Sequence, residues 1–257
     1  MNVRKSLGQH WLNDKTALTE ICRAGEISVD DVVLEVGPGQ GSLTRLLVAQ
    51  AKKVIAVELD DGLAKNLTHQ VSADNLQIVS QDILGFDLNQ LPIDYKVIAN
   101  IPYYLTSHLI RRLTSAENPP KKIVLLIQKE VAERICAKPG QMSLLSVSAQ
   151  LHYDCSLGII VPAKLFEPPP EVESQVVIMD RRIQPLFIEL DEKAYFRVVK
   201  AGFGERRKML RSSLSGGLGI SKEQADQLLA KADMDGGRRA QELSLQDWHK
   251  LSLAYNS

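Results

Sequence analysis

Residues 32–41 read VVLEVGPGQG and decide the fold. The first five residues form a short apolar run interrupted only by Glu35, and glycines follow at every second position from Gly37 to Gly41. An apolar run of this length predicts a strand that is buried on both faces. Glycines directly after it let the backbone turn sharply and let a ligand lie against main-chain atoms. The stretch therefore predicts a strand, a ligand-binding turn and the start of a helix.

Outward from this stretch, strands and helices alternate over residues 31–130. Apolar runs predict strands, and apolar residues at helical spacing predict helices. The predicted strands are residues 32–36, 54–58, 76–79, 95–99 and 123–127, and the predicted helices are residues 43–51, 63–71 and 105–113. Solid apolar strands separated by helices predict an α/β fold, a Rossmann-like parallel sheet covered on both faces. Ligands of such sheets bind at the carboxyl ends of the strands.

The rest of the chain indicates a second, smaller domain. Residues 143–153 predict a helix, and residues 156–161 and 172–179 predict two strands. From residue 184 onward the pattern is helical. We therefore predict an α/β domain over residues 1–183 and a small all-helical domain over residues 184–257.

The charge of the chain is balanced overall but uneven along its length. The 257 residues hold 31 Lys+Arg and 31 Asp+Glu, a balance that by itself argues against a strongly basic nucleic-acid-binding protein. Residues 197–211, however, hold six basic side chains and one acidic one. A solvated helix face is one interpretation. The other is contact with nucleic-acid phosphates, for which the candidates are Arg206, Arg207, Lys208 and Arg211.

Cysteine and histidine usage excludes several kinds of site. The 3 cysteines show no C-x-x-C spacing, which excludes a disulfide framework and a Cys-based zinc site. The 5 histidines show no metal-ligand spacing, so we predict no metal. No leader segment is evident, and no apolar run is long enough to span a membrane. We therefore predict a cytoplasmic protein that does not bind a membrane.

Acidic residues at the ends of the next two strands indicate the ligand. Glu58 follows Gly37 by 21 residues and can accept hydrogen bonds from both hydroxyls of a ribose. The glycines read G-x-G-x-G with Ser42 at the sixth position, whereas dinucleotide sites prefer G-x-G-x-x-G. This pattern suits S-adenosylmethionine, which has no phosphate. Asp82 can accept from an adenine amino group, or it can instead cap a helix.

The segment Asn100-Ile101-Pro102-Tyr103 follows the fourth strand and suits methylation of an amino group. The amine of adenine is a poor nucleophile because its lone pair is delocalised into the ring. The Asn100 amide oxygen and the Ile101 carbonyl oxygen can accept hydrogen bonds from its two N–H groups, with Pro102 keeping the backbone extended, and Tyr103 can stack on the base. Phe166 either packs in the core or forms a second wall for the base. The base must be extruded from a duplex or already unpaired.

With these residues assembled, the chain resembles the small-subunit ribosomal RNA adenine dimethyltransferases, the KsgA/RsmA family. The resemblance covers almost the whole length. It is carried by residues 5–12 (KSLGQHWL), 35–41, 58, 81–82, 100–103, 166–172 and 204–214 (GERRKMLRSSL), which occur in the family's order. The chain differs from the family's usual pattern in having Trp11 in place of Phe and Ile101 in place of Leu.

The resemblance implies a specific activity and a specific site. Enzymes of this family use S-adenosylmethionine to place two methyl groups on each of two adjacent adenosines, and we predict that this chain is a monomer. These adenosines lie in a hairpin loop near the 3′ end of the small-subunit rRNA (16S rRNA in bacteria), within a pre-assembled subunit. The family's cofactor contacts correspond to His10, Leu12, Gly37, Glu58, Asp82 and Asn100, and Gln9 supports the same lid.

Three other functions are compatible with parts of the sequence. A large-subunit rRNA adenine methyltransferase of the macrolide-resistance type shares the Asn-Ile-Pro-Tyr pattern, although residues 206–214 favour the small-subunit enzyme. A dehydrogenase would use the same sheet to bind NAD. A non-catalytic RNA-binding assembly factor would use the basic residues alone.

Overall fold

The computed structural model describes residues 10–205 and 207–256. The strands are β1 (Trp11–Leu12), β2 (Val32–Val36), β3 (Lys53–Glu58), β4 (Leu76–Ser80), β5 (Lys96–Asn100), β6 (Lys122–Gln128), β7 (Tyr153–Val161), β8 (Phe166–Glu167) and β9 (Ser174–Arg181). The helices are α1 (Lys15–Ala24), α2 (Thr44–Val48), α3 (Asp61–Gln70), α4 (Thr106–Thr114), α5 (Lys129–Ile135), α6 (Leu144–Gln150), α7 (Glu192–Gly204), α8 (Leu210–Leu218), α9 (Lys222–Lys231) and α10 (Leu245–Asn256). Every strand and helix predicted between residues 31 and 130 is confirmed.

Seven strands form one twisted sheet in the order β4-β3-β2-β5-β6-β9-β7. The first five strands in this order are parallel, as predicted, whereas β9 pairs antiparallel with both β6 and β7. A parallel pair needs a long crossover, usually a helix. No α-helix lies between β7 and β9, so the chain returns antiparallel at this edge. The sheet is therefore mixed rather than wholly parallel.

Two buried lysines occupy the amino end of the sheet. The Lys96 ammonium lies 2.9 Å from a carboxylate oxygen of Asp31, and the Lys122 ammonium lies 2.8 Å from Glu26 and 2.9 Å from Asp180. Both lysines are buried, so their charges are tolerated only because these partners are in place. This polar network closes the amino end and leaves the opposite end of the parallel strands for a ligand.

The chain forms two compact units that are not contiguous in sequence. The first contains residues up to 133 and residues 153–181, and the second contains residues 134–152 and residues from 182 onward. The division predicted from sequence assigned residues 134–152 to the first domain. They belong to the second unit because Met142, Val147 and Leu151 are buried in its core.

The second unit is helical throughout its described part, as predicted for residues 184–257. Its core contains Tyr195, Val198, Leu214 and Trp248, each with 2% or less of its surface exposed. Within the described ranges of both units, no helix has the length and apolarity needed to cross a membrane.

Candidate active site

The turn after β2 is built by three glycines in the left-handed region. The φ angles of Gly37, Gly39 and Gly41 are 65°, 57° and 76°. At Gly39 space is restricted as well, because a Cβ atom there would lie 2.2 Å from Cζ3 of the Trp11 ring. Trp11 therefore covers the turn, and a side chain at residue 39 would displace it.

Glu58 ends β3 and reaches back to this turn. Its Oε2 accepts a hydrogen bond from the Gly39 N–H at 3.1 Å, and its Oε1 accepts one from the Asp60 N–H at 3.0 Å. Burial raises the pKa of this carboxyl above its usual range. Each carboxylate oxygen has two lone pairs, so each can still accept from one hydroxyl of a ribose.

Glu35 is the second carboxyl of the site and is almost completely buried. Its Oε2 has no hydrogen-bond partner among the residues that the structure describes. Burial, with a smaller contribution from the nearby Glu58 carboxylate, raises the pKa of Glu35 to about 8. At neutral pH its side chain is therefore mostly protonated, unlike an ordinary surface glutamate.

Two adjacent pockets open at the carboxyl end of the parallel strands and share Gly37, Glu58 and Pro102. The structure brings together all six predicted cofactor contacts. The first pocket is lined by His10, Leu12, Gly37, Glu58 and Asn100, and the second by Gly37, Glu58 and Asp82.

The second pocket has an apolar rim that the sequence reasoning missed. Leu59, Leu84 and Tyr104 line it and are 50%, 37% and 56% exposed. Exposed apolar side chains around a pocket suit a flat aromatic ligand. The sequence feature that could have indicated this rim is the apolar residue directly after Glu58. Asp82 lies beside them, and its Oδ1 accepts from the Leu84 N–H at 2.9 Å, so it stabilises a turn while lining the pocket.

The five predicted catalytic residues all line the first pocket: Asn100, Ile101, Pro102, Tyr103 and Phe166. Asn100 ends β5, and its Nδ2 donates to the main-chain carbonyl of His10 at 3.4 Å. This bond fixes the amide so that its oxygen faces away from His10. Tyr103 begins a single 3-10 turn, and its hydroxyl lies 2.8 Å from the Ser174 hydroxyl.

A two-stranded ribbon outside the main sheet connects two segments that line the first pocket. No sequence pattern predicted this ribbon. β1 pairs antiparallel with β8, with Leu12 opposite Phe166. Nδ1 of the His10 ring lies 2.8 Å from the Pro168 carbonyl oxygen. The same ring stacks on the Tyr103 ring, and the two ring centroids are 5.7 Å apart. Phe166 is 4% exposed, so it packs in the core and lines the pocket as well. Gln9 and residues 5–8 lie outside the described residues.

Of the predicted RNA contacts that the structure describes, Arg207 and Lys208 lie on the connection between α7 and α8, and Arg211 lies in the first turn of α8. Arg207 is exposed, Lys208 pairs with Glu205 at 2.5 Å, and Arg211 pairs with Asp226 at 2.6 Å. These ion pairs offset part of the local positive charge. Arg206 lies outside the described residues.

For residues 10–205 and 207–256, no group of three or more His, Cys, Asp or Glu side chains is placed to hold a metal ion. The polar groups of the two pockets are instead carboxyls, an amide, an imidazole and main-chain atoms, which suit an organic ligand.

Comparison with known protein families gives a match over the whole chain. The model of the ribosomal RNA adenine dimethylase family matches residues 1–257. Ribosomal RNA small subunit methyltransferase A from Dehalococcoides mccartyi (strain ATCC BAA-2266) is 40% identical, covering 99% of this chain and 89% of that protein. The protein of the same name from Clostridium acetobutylicum is 36% identical, covering 96% of this chain and 92% of that protein.

Two solved structures are similar over almost the whole chain. A dimethyladenosine transferase from Plasmodium falciparum is 27% identical with a TM-score of 0.83, covering 96% of this chain and 98% of the other. The 23S rRNA methyltransferase ErmE is 26% identical with a TM-score of 0.77, covering 96% of this chain and 100% of the other. Both similarities extend over the two units.

Proposed function

The chain belongs to the ribosomal RNA adenine dimethylase family, and we propose that it methylates two adjacent adenosines in a hairpin loop near the 3′ end of small-subunit rRNA. It is a small-subunit rRNA adenine dimethyltransferase. Each adenosine receives two methyl groups on its amino nitrogen. The substrate is the rRNA within a pre-assembled subunit, and the enzyme acts as a monomer in the cytoplasm.

The observation that carries the proposal is that two pockets meet at Gly37, Glu58 and Pro102. A nucleoside cofactor needs a carboxylate for its ribose and an apolar slot for its base. Glu58 provides the carboxylate, and the apolar rim of the second pocket provides the slot. Its amino-acid tail needs a polar pocket beside the glycine turn, which His10, Glu35 and Asn100 line. The residues present therefore fit S-adenosylmethionine.

When bound, S-adenosylmethionine supplies a methyl group on a positively charged sulfur, which accepts the electron pair of the broken bond. The protein's task is to make the adenine amine nucleophilic and to orient it. The Asn100 amide oxygen and the Ile101 carbonyl oxygen accept hydrogen bonds from the two amino N–H groups, so that the lone pair on nitrogen is released from the ring. The methylated amine loses a proton to water afterwards, so no general base is needed. Catalysis therefore comes from orientation and electrostatics.

The walls of the first pocket hold the base in place. Tyr103 stacks on one face, and Phe166 lies on the other side of the pocket. Four basic residues of the second unit contact rRNA phosphates: Arg206, Arg207, Lys208 and Arg211. Such contacts position the RNA and make binding depend on salt.

Replacement of Asn100 by alanine tests this mechanism. We expect N100A to lower the rate of methyl transfer to immature small subunits about 10³-fold, because the amine loses an acceptor that acts in the transition state. Asn66 is exposed on α3, so N66A is the matched control and should keep full activity. Full transfer by N100A would contradict the mechanism and favour a non-catalytic assembly factor.

The substrate is tested with the wild-type enzyme. We expect methylation of immature small subunits in preference to protein-free large-subunit rRNA, because relatives 36% to 40% identical are named for the small subunit. The reverse preference would favour the function of the structurally similar 23S rRNA methyltransferase. Thermal stabilisation by NAD but not by S-adenosylmethionine would instead indicate a dehydrogenase.

A further inference from the structure

We propose that Ser174 is a positioning residue for the second methyl transfer, because its buried hydroxyl fixes the Tyr103 ring on which the target adenine stacks. This inference rests on the proposed function. It adds a residue that the sequence motifs do not single out, since Ser174 lies at the start of β9 and does not line either pocket.

The Tyr103 ring is held at its edge and on its face. Its hydroxyl lies 2.8 Å from the Ser174 Oγ, and the His10 ring stacks against it with an interplanar angle of 27°. The ring itself is only partly buried, and Tyr103 begins the 3-10 turn that leads directly into α4. The two outside contacts therefore determine its tilt and its position in the pocket.

Ser174 is a rigid anchor. It is completely buried, and β9 pairs on both sides, with Ser174 opposite Gln128 of β6 and Val161 of β7. A group on a strand that is hydrogen-bonded on both edges is held more precisely than a group on a loop. The hydroxyl bond transmits this rigidity to Tyr103.

A stacking wall alone does not require a hydroxyl. Phenylalanine would supply the same ring with no polar atom to bury and satisfy. Burial raises the pKa of Tyr103 above its usual range, so the hydroxyl stays protonated at neutral pH and does not serve as a base. Orientation of the ring is the role that remains for this hydroxyl.

The second transfer depends on this orientation more than the first. In each transfer the amine lone pair forms a bond to the methyl carbon, the bond from that carbon to sulfur breaks, and a proton leaves the amine for water. Adenine has two amino protons for the Asn100 and Ile101 acceptors, whereas N6-methyladenine has one. With one hydrogen bond lost, stacking on Tyr103 supplies a larger share of the positioning.

The test removes the same hydrogen bond from either end. S174A, Y103F and the double variant are assayed on undermethylated small subunits, and mono- and dimethyladenosine are quantified over time. We expect the rate of the second methyl transfer, divided by that of the first, to fall about tenfold in each single variant, so that N6-methyladenosine accumulates. This ratio should fall no further in the double variant. The affinity for S-adenosylmethionine, measured by calorimetry, and the KM for subunits should change less than about twofold.

Ser252 supplies a matched control. It is a buried serine on α10 whose hydroxyl donates to the His249 carbonyl at 2.8 Å, so S252A removes a comparable hydrogen bond in the second unit. We expect its ratio of rates to match the wild type. An unchanged ratio in S174A and Y103F would overturn the inference, even if total activity fell.

The two hypotheses fail in different ways. If S174A does not fold, Y103F still removes the bond without altering the sheet, and its ratio of rates decides the question. A wild-type enzyme that forms no dimethyladenosine on small subunits would refute the proposed function. A wild-type enzyme that forms it, beside variants with an unaltered ratio, would refute only the role of Ser174.

Discussion

The glycine turn of the first unit and the basic connection of the second, residues 205–209, are held in place by different kinds of interaction. In the turn, backbone conformation and buried contacts determine every position, as the Gly39 N–H donating to Glu58 illustrates. In the connection, the described side chains of Glu205, Arg207 and Lys208 are exposed, and Lys208 forms a short-range ion pair with Glu205.

This difference suits the two kinds of ligand proposed for these regions. A small ligand is recognised by a few groups at fixed distances in a low-dielectric pocket, so strain and burial are tolerated there. An RNA backbone is recognised by charge over a wide surface. Exposed ion pairs contribute at most about 1 kcal/mol each, so a phosphate can replace the acidic partner at little cost. Three predictions test this contrast.

The largest effect is expected at Gly39, with Gly219 of the second unit as its counterpart. Both adopt the left-handed conformation, with φ angles of 57° and 69°, but a Cβ would meet Trp11 only at Gly39 and has no atom within 4 Å at Gly219. G39A should weaken binding of S-adenosylmethionine about 100-fold, because Trp11 must move off the turn. G219A should cost about 1 kcal/mol of stability and leave binding unchanged. Calorimetric titration and thermal unfolding measure both, and full cofactor affinity in G39A would show that the Trp11 contact is dispensable.

A smaller effect is expected from Glu35, whose pKa in the folded protein is raised to about 8. A carboxyl with a raised pKa binds its proton more tightly in the folded state, so its contribution to stability falls as pH rises from about 4.5 to 8. E35Q removes this titration. Its free energy of unfolding relative to the wild type should therefore increase by about 3 kcal/mol between pH 5.5 and pH 8.5. Thermal unfolding at both pH values measures the change, and a pH-independent difference would show that Glu35 is already ionised in the fold.

The smallest effects are expected in the basic connection and the first turn of α8, where single charges act additively. R207A should weaken binding to small subunits about threefold to tenfold and reduce the slope of log affinity against log salt by about 1. R211A should have a smaller effect, because Asp226 already offsets the Arg211 charge in the free protein. Filter binding at several salt concentrations separates the two, and equal effects would show that the ion pair does not limit contact with RNA.

Much of the first unit was predictable because its strands are solid apolar runs. Val32–Val36 and its neighbours read as buried strands, and the candidate site residues Glu58, Asp82 and Asn100 lie at the carboxyl ends of the parallel strands. The antiparallel edge was not predicted, since strand direction depends on the connection and not on the strand's own residues. The assignment of residues 134–152 to the helical unit was missed for a similar reason, because an amphipathic helix does not specify which core it joins.

The sequence alone determined the order of elements, the family resemblance and the candidate groups for contact with cofactor and base, because hydrophobic periodicity and short motifs are local properties. Tertiary structure alone decided which of these groups meet. The β1–β8 ribbon brings His10 to Tyr103 across more than 90 positions of the chain, and the sheet brings Ser174 to the same ring. Such contacts depend on strand register and packing between distant segments, which no local pattern of residues encodes.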